Sequence, residues 1–349
     1  MADATSGRDT VADSGTRASP SEGMSHRARL EAAFEGLPVD RPPVSFWQHF
    51  PGHDHTSDLL ATATIDFQRR FDLDLVKLMP TGMYPVMDYG VEVRPSDDDV
   101  GTTAYVSGPI KGPGDWEKLS AVSPDQGMLA QQVDVVRQVR TALGPETPIL
   151  QTIFSPLTMA TKLVGGALTH DALAEERPLC GALERLADDV IAFGHACLQS
   201  GADGFFFATQ SASRAPGRAE VYARFGVPYD MRVLDALRPR SWGIILHLHG
   251  ADPLFDLADS YPVDAVNWED RDTQPSLTEA LGQTSRCLVG GVGRIGPLAR
   301  GTAAEVTADV RDAIAQTGGR RLIVAPGCVA LMTVPEHNLR ALRSAVSET

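Results

Sequence analysis

Short apolar runs alternate along this chain with longer stretches in which apolar residues return every three or four positions. The runs read as buried strands and the stretches as amphipathic helices. That alternation predicts a parallel α/β fold. Strands are expected at 44–46, 74–77, 148–153, 204–207, 243–247, 265–267, 287–289 and 322–325. Eight of them favour a closed (β/α)8 TIM barrel over an open doubly wound sheet. A helix is expected at 25–34, where Leu30, Ala33 and Phe34 share one face.

Two intervals exceed what a connecting helix needs. Between the second and third strands, alternating residues at 91–94 and 103–106 flank Pro95-Ser96-Asp97-Asp98-Asp99. This predicts an inserted hairpin, followed by helices at 115–119 and 131–143. After the fourth strand, the segment 211–218 is expected to form a mobile flap over the site. Residues 1–24 are small, polar and poor in aromatics, which predicts a disordered tail and leaves 25–349 as the barrel; Met24 offers a second candidate start.

The 349 residues suffice for one large barrel. A net charge of −14 argues against nucleic acid or anionic membrane as the main partner. No apolar run is long enough for a membrane span, and no apolar leader segment opens the chain. The four cysteines show no CxxC spacing, which suits reduced thiols in the cytoplasm. Cys180, Cys197 and Cys287 read as packing residues.

The chemistry concentrates at strand ends. His247 and His249 close the fifth apolar run, and Cys328 follows the eighth in Ala325-Pro326-Gly327-Cys328. Residues i and i+2 of a strand face the same way, so both imidazoles can meet one ion. Imidazole and thiolate are zinc ligands, and three protein ligands leave the open position of a catalytic site. Affinity order alone does not select zinc over iron, cobalt or nickel. Glu269 and Asp270 follow the sixth strand as candidates for proton transfer or further ligation. Lys77 ends the second strand as a candidate catalytic or anion-binding group. Trp47, His49, Gln210, Arg214 and Asn267 are candidate substrate-binding residues, and Gly290-Gly291 offers close backbone approach to a ligand. His53 and His55 read as loop residues.

Several segments together resemble the uroporphyrinogen decarboxylase superfamily. They are Arg41-Pro42-Pro43-Val44, Asp264-Ala265-Val266-Asn267-Trp268, Gly290-Gly291-Val292 followed by Gly301-Thr302, and Pro326-Gly327-Cys328 followed by Pro335-Glu336-His337-Asn338-Leu339. The resemblance spans roughly residues 25 to 345 and implies a (β/α)8 barrel, often a homodimer. It also implies one of two chemistries. The decarboxylases of the family are cofactor-free, with arginines near the first strand and an aspartate after the second. Here those regions read Val44-Ser45-Phe46-Trp47-Gln48-His49-Phe50 and Leu75-Val76-Lys77-Leu78-Met79-Pro80-Thr81, with neither feature, and Cys328 stands where that pattern has histidine. The other branch holds zinc-dependent methyltransferases serving corrinoid proteins and thiols such as coenzyme M, with ligands His-x-Cys and a later Cys. This chain is similar at His247 and Cys328 but has His249 in place of the first cysteine.

The leading expectation is therefore a zinc-dependent enzyme that transfers a methyl or small alkyl group to or from a thiol or a corrinoid, the corrinoid being carried on a partner protein. The alternative is a metal-free decarboxylase in which Lys77, Arg214 and Arg218 bind carboxylates. A third reading is a non-catalytic partner of a corrinoid protein.

Overall fold

The computed structural model describes residues 23–168, 173 and 176–348, so the expected tail lies outside them except for Gly23 and Met24. Nine strands follow one another among the described residues: β1 (Val76–Lys77), β2 (Glu92–Pro95), β3 (Thr103–Ser107), β4 (Ile149–Phe154), β5 (Gly204–Thr209), β6 (Gly243–Leu248), β7 (Ala265–Asn267), β8 (Cys287–Val292) and β9 (Leu322–Pro326). Seven of them form one parallel sheet in the order β1-β4-β5-β6-β7-β8-β9. β2 and β3 pair antiparallel as the expected inserted hairpin.

The chain around Val44 closes the sheet into a barrel. Val44 bridges Val324 of β9 in parallel. Ser45 N donates to Val324 O at 3.0 Å, and Asp74 N donates to Val44 O at 3.0 Å on the opposite side. The expected first strand shrinks to this bridge for a physical reason. Pro42 and Pro43 have no N–H to give a ladder, and Val44 N donates instead to the Asp74 carboxylate at 2.8 Å.

The seven strands of the parallel sheet are buried along their whole length, as parallel strands covered on both faces must be. Alternation then sorts their side chains. In β6, Ile244, Leu246 and Leu248 pack outward against the helices, while Ile245 joins Leu150, Phe206, Val289 and Ile323 inside the barrel. His247 and His249 continue the inward series at the strand's C-terminal end. The surrounding helices start where the chain supplies caps. Ala303–Thr317, for example, opens on a Thr302–Glu305 capping box and ends at Gly318 in the left-handed region; such a cap contributes about 1 kcal/mol.

The first helix, His26–Glu35, is fastened to the barrel through Asp74. Arg29 and Arg41 each reach that carboxylate at 2.6 Å, and His26 Nδ1 lies 2.9 Å from it. Burial opposes ionisation of Asp74, but the hydrogen bonds from His26 and Arg41 and the two guanidinium charges hold it well below the usual carboxylate range. No helix among the described residues is long and apolar enough to cross a membrane.

Candidate metal centre

His247, His249 and Cys328 meet at the C-terminal ends of β6 and β9. Their ligand atoms lie within 4.8 Å of one another. Cys328 Sγ is 3.8 Å from His247 Nε2 and 3.6 Å from His249 Nδ1. Zinc bonds of about 2.3 Å to sulfur and 2.0–2.1 Å to nitrogen, set at a tetrahedral angle, separate the two donors by about 3.6 Å. The observed spacing fits that geometry before any side chain moves.

The protonation states suit a cation too. Burial alone would raise the Cys328 thiol, but the hydrogen bond and charge of His247, helped by Arg294, bring it below its ordinary value. Burial lowers His249, with Lys162 and Arg294 adding to the effect and Glu269 opposing it, so its imidazole stays neutral. Behind His247 stands Asn267, whose Oδ1 is 2.6 Å from His247 Nδ1. Asn267 Nδ2 donates to Val289 O at 2.8 Å and Pro326 O at 3.3 Å.

A cavity of about 390 Å³ opens onto the three residues. Of the sequence candidates, Trp47, His49, Lys77 and Gln210 line it. Val100, Thr102 and Thr103 bring the inserted hairpin into the wall. Lys77 lies over the rings of Phe206 and Trp47, at 4.5 and 5.3 Å from their centroids. Burial lowers it to about 7, with only Cys328 opposing. Lys162 and Arg294 also line the cavity, whereas no Asp or Glu does among the described residues. Burial lowers Lys162 to about 8. His49 is held at about 4 by burial and then by the charge of Lys77, which makes it a neutral hydrogen-bonding group.

Other expected residues are placed elsewhere. Arg214 does not line the cavity: it pairs with Asp256, and its N–H donates to Asp252 O at 2.8 Å. Together with the Ser213–Pro253 bridge, this ties the expected flap to the loop after β6, and segment 211–218 contributes no lining residue. Asn267 is fully buried behind His247 rather than facing substrate. Asp270 turns away from the cavity to accept from Gly291 N at 3.0 Å, and burial raises its carboxyl to about 7. Gly290 makes room for that carboxylate and Gly291 for the Ala313 side chain, rather than for a ligand. A Cβ on Gly290 would lie 2.4 Å from Asp270 Oδ1. Glu269 pairs with Arg294 at 3.1 Å.

Sequence reading missed Lys162 and Arg294. Lys162 lies near the end of the short helix Pro156–Leu163, where a cation among buried apolar residues was the available signal. Arg294 follows β8 by two residues, past the glycines that drew attention first.

Comparison with known proteins adds three findings. Residues 25–349 match the family model described as uroporphyrinogen decarboxylase (URO-D). The methylcobamide:CoM methyltransferases MtbA of Methanosarcina acetivorans and Methanosarcina mazei are 22% and 24% identical over 234 and 237 residues. Each alignment covers 67% of this chain and 68% of the relative. A uroporphyrinogen decarboxylase of Vibrio campbellii is 28% identical over 189 residues, covering 52% of this chain and 51% of that protein. Among solved structures, a methyltransferase from Methanosarcina mazei superposes with a TM-score of 0.79 at 21% identity, covering 93% of this chain and 98% of that one. A B12-independent methionine synthase from a Shewanella species superposes with a TM-score of 0.58 at 14% identity, over 88% of this chain and 97% of that one.

Proposed function

The chain belongs to the uroporphyrinogen decarboxylase (URO-D) family, and within it we propose a metal-dependent methyltransferase that moves a methyl group between a corrinoid carrier and a small thiol. One observation carries this reading: two imidazoles and a thiol converge at the cavity with the spacing of a tetrahedral site. The methylcobamide:CoM methyltransferases among its relatives supply the reaction class.

His247, His249 and Cys328 would hold the ion, zinc by the chemistry of the donor set. When bound, zinc would act as a Lewis acid that favours the thiolate of an acceptor thiol. The remaining work falls to the chain. Among the described residues no carboxylate faces Lys77 and Lys162 in the cavity, so an acid group on the acceptor would restore their full charge and orient the thiol. Trp47 and Phe206, packed edge to face, would give the reacting end an apolar wall. Glu269 stays outside the cavity lining and would act on the site through the Arg294 guanidinium that it pairs with at 3.1 Å. The open end of the cavity would admit a corrinoid presented by a separate protein. A homodimer and a cytoplasmic location complete the proposal, the latter supported by four free thiols.

Metal-free decarboxylation has less support, because among the described residues no carboxylate lines the cavity to face a pyrrole nitrogen. The test is elemental analysis of full-length protein purified without chelator, beside the His247→Ala/Cys328→Ser double variant, with methylcobalamin and thiols as substrates. About one zinc per chain, lost together with thiol methylation in the double variant, is the expected result. Absence of metal in the native protein after reconstitution, with turnover of a porphyrinogen, would overturn the assignment.

A further inference from the structure

We propose that Asn267 is a positioning residue that locks His247 in the Nδ1–H tautomer, so that Nε2 alone is offered to the metal. The consequence for metal binding rests on the function proposed above; the assignment of the proton does not.

The argument is a chain of forced donor and acceptor roles. Asn267 ends β7, where it is in register with His247 of β6 and Val289 of β8. The alternation of β7 turns Ala265 into the barrel and Val266 outward, so Asn267 points in, between its two neighbours. Its side chain is fully buried, which leaves no solvent to satisfy it. One end of the amide faces two backbone carbonyls, Val289 O at 2.8 Å and Pro326 O at 3.3 Å. Carbonyls only accept, so that end must be the NH2 group. The other end is then the oxygen, and it lies 2.6 Å from His247 Nδ1. An amide oxygen only accepts, so Nδ1 must carry the hydrogen. When the ring carries one hydrogen, its lone pair is therefore on Nε2, the atom that faces Cys328 Sγ at 3.8 Å.

Two strand ends thus determine which nitrogen of a residue on a third strand can bind a cation. The usual carboxylate partner of a metal-bound histidine would add a negative charge and raise the ligand's basicity. A neutral amide sets the tautomer without adding charge, and a carboxylate here would face Val289 O and Pro326 O with lone pairs only. With His249 the other imidazole, Cys328 is the only ligand in the cluster that can bring a negative charge.

The test uses full-length, metal-free protein with ¹⁵N-labelled histidine. Two-bond ¹H–¹⁵N correlations separate the two tautomers, and His247 is assigned by its loss in His247→Gln. Wild type is expected to show His247 as Nδ1–H. Asn267→Leu, which removes both hydrogen-bonding ends, should give a mixture and weaken zinc binding 10- to 100-fold in chelator competition, the range on which such partners act. Asn267→Asp keeps the acceptor oxygen toward His247 and should keep Nδ1–H, at a lowered melting temperature because its second oxygen meets Val289 O and Pro326 O; if the leucine variant does not fold, loss of Nδ1–H in the aspartate variant overturns the proposal. An Nε2–H signal in wild type overturns the proposal. So does an unchanged His247 spectrum in Asn267→Leu, even with a lowered melting temperature, since that is what a merely structural role predicts. A wild type that shows Nδ1–H and takes up no zinc would overturn the metal reading and leave this assignment standing.

Discussion

The ammonium of Lys77 lies 4.5 Å from the centroid of the Phe206 ring, and Met79 Sδ is its hydrogen-bonding neighbour at 2.5 Å. A ring face and a thioether are poor substitutes for water or a carboxylate. A desolvated cation–π contact contributes about 2 kcal/mol, less than burial of an ammonium costs, and the result is a lysine brought down from 10.5 to about 7.

Lys77→Met should therefore stabilise the metal-free protein. Below pH 7 both folded and unfolded chains carry the proton, and the full cost of burying it is present. As pH rises from 7 toward 10.5 the folded chain is already neutral while the unfolded one still titrates, so the cost fades. The gain in melting temperature should be largest near pH 6 and shrink by pH 10. Its ceiling is ~5 kcal/mol, since each tenfold loss of proton affinity on burial corresponds to about 1.4 kcal/mol. The same change should raise KM for an anionic thiol about tenfold, near 1.4 kcal/mol, and barely move it for 2-mercaptoethanol. Equal effects on both thiols would remove Lys77 from substrate recognition.

Gly327 sets where Cys328 stands. A Cβ there would lie 2.4 Å from Glu269 Cα and 2.5 Å from Trp268 O, and backbone cannot swing aside as a side chain can. Gly327→Ala should cost about 1–3 kcal/mol through overpacking and push Cys328 away from the two histidines. Thermal denaturation and zinc content read the two effects separately. Full zinc content in this variant would show that the loop adjusts and that the glycine is not what holds the ligand in place.

Asp230 forms a second buried cluster, remote from the cavity lining. Tyr222 OH donates to it, Tyr261 OH does so at 2.8 Å, and its Oδ1 has no partner among the described residues. Burial lifts the carboxyl from 3.8 to about 7, against the two hydrogen bonds. A group whose folded value is raised contributes fully below the unfolded value and loses that contribution as pH climbs to the folded one. Asp230→Asn should match wild type near pH 4 and exceed it at pH 8, by about 4 kcal/mol. Urea denaturation at the two pH values gives the comparison. A variant that is less stable at pH 8 would mean that the anion, not the acid, is the form the tyrosines hold.

The strands were legible because each is a short apolar run that stops in polar residues, and the two-residue repeat of an extended chain put His247 and His249 on one face before any fold was known. Cys328 could be joined to them because its run also stops in polar residues. What local pattern does not carry is direction in three dimensions. Asn267, Arg214 and Asp270 sit at strand ends or in loops with the right chemistry, yet their partners are Val289 O, Asp256 and Gly291 N, which only the packed barrel brings near. Lys162 and Arg294 escaped for the converse reason: lone cations after ordinary elements, gathered only when the barrel closes.

The cluster's second imidazole offers the sharpest test of the proposed chemistry. His249 Nδ1 is 3.6 Å from Cys328 Sγ, at a position where the methyltransferase pattern has cysteine. Two imidazoles and one thiolate leave a divalent ion with one net positive charge, and two thiolates would neutralise it. The more positive site lowers the pKa of an acceptor thiol further, at the expense of the thiolate's nucleophilicity. His249→Cys should therefore hold zinc more tightly, on the order of tenfold, the smaller end of the effects that ligand surroundings exert. It should also shift the rise of thiol methylation to higher pH and increase the rate on the plateau. Chelator competition and a pH–rate profile with methylcobalamin measure both effects. Tighter zinc with an unmoved profile would mean that the thiol is not activated by the ion. Weaker zinc would mean that the site is built around the imidazole and that the substitution for cysteine has been absorbed by the surrounding strands.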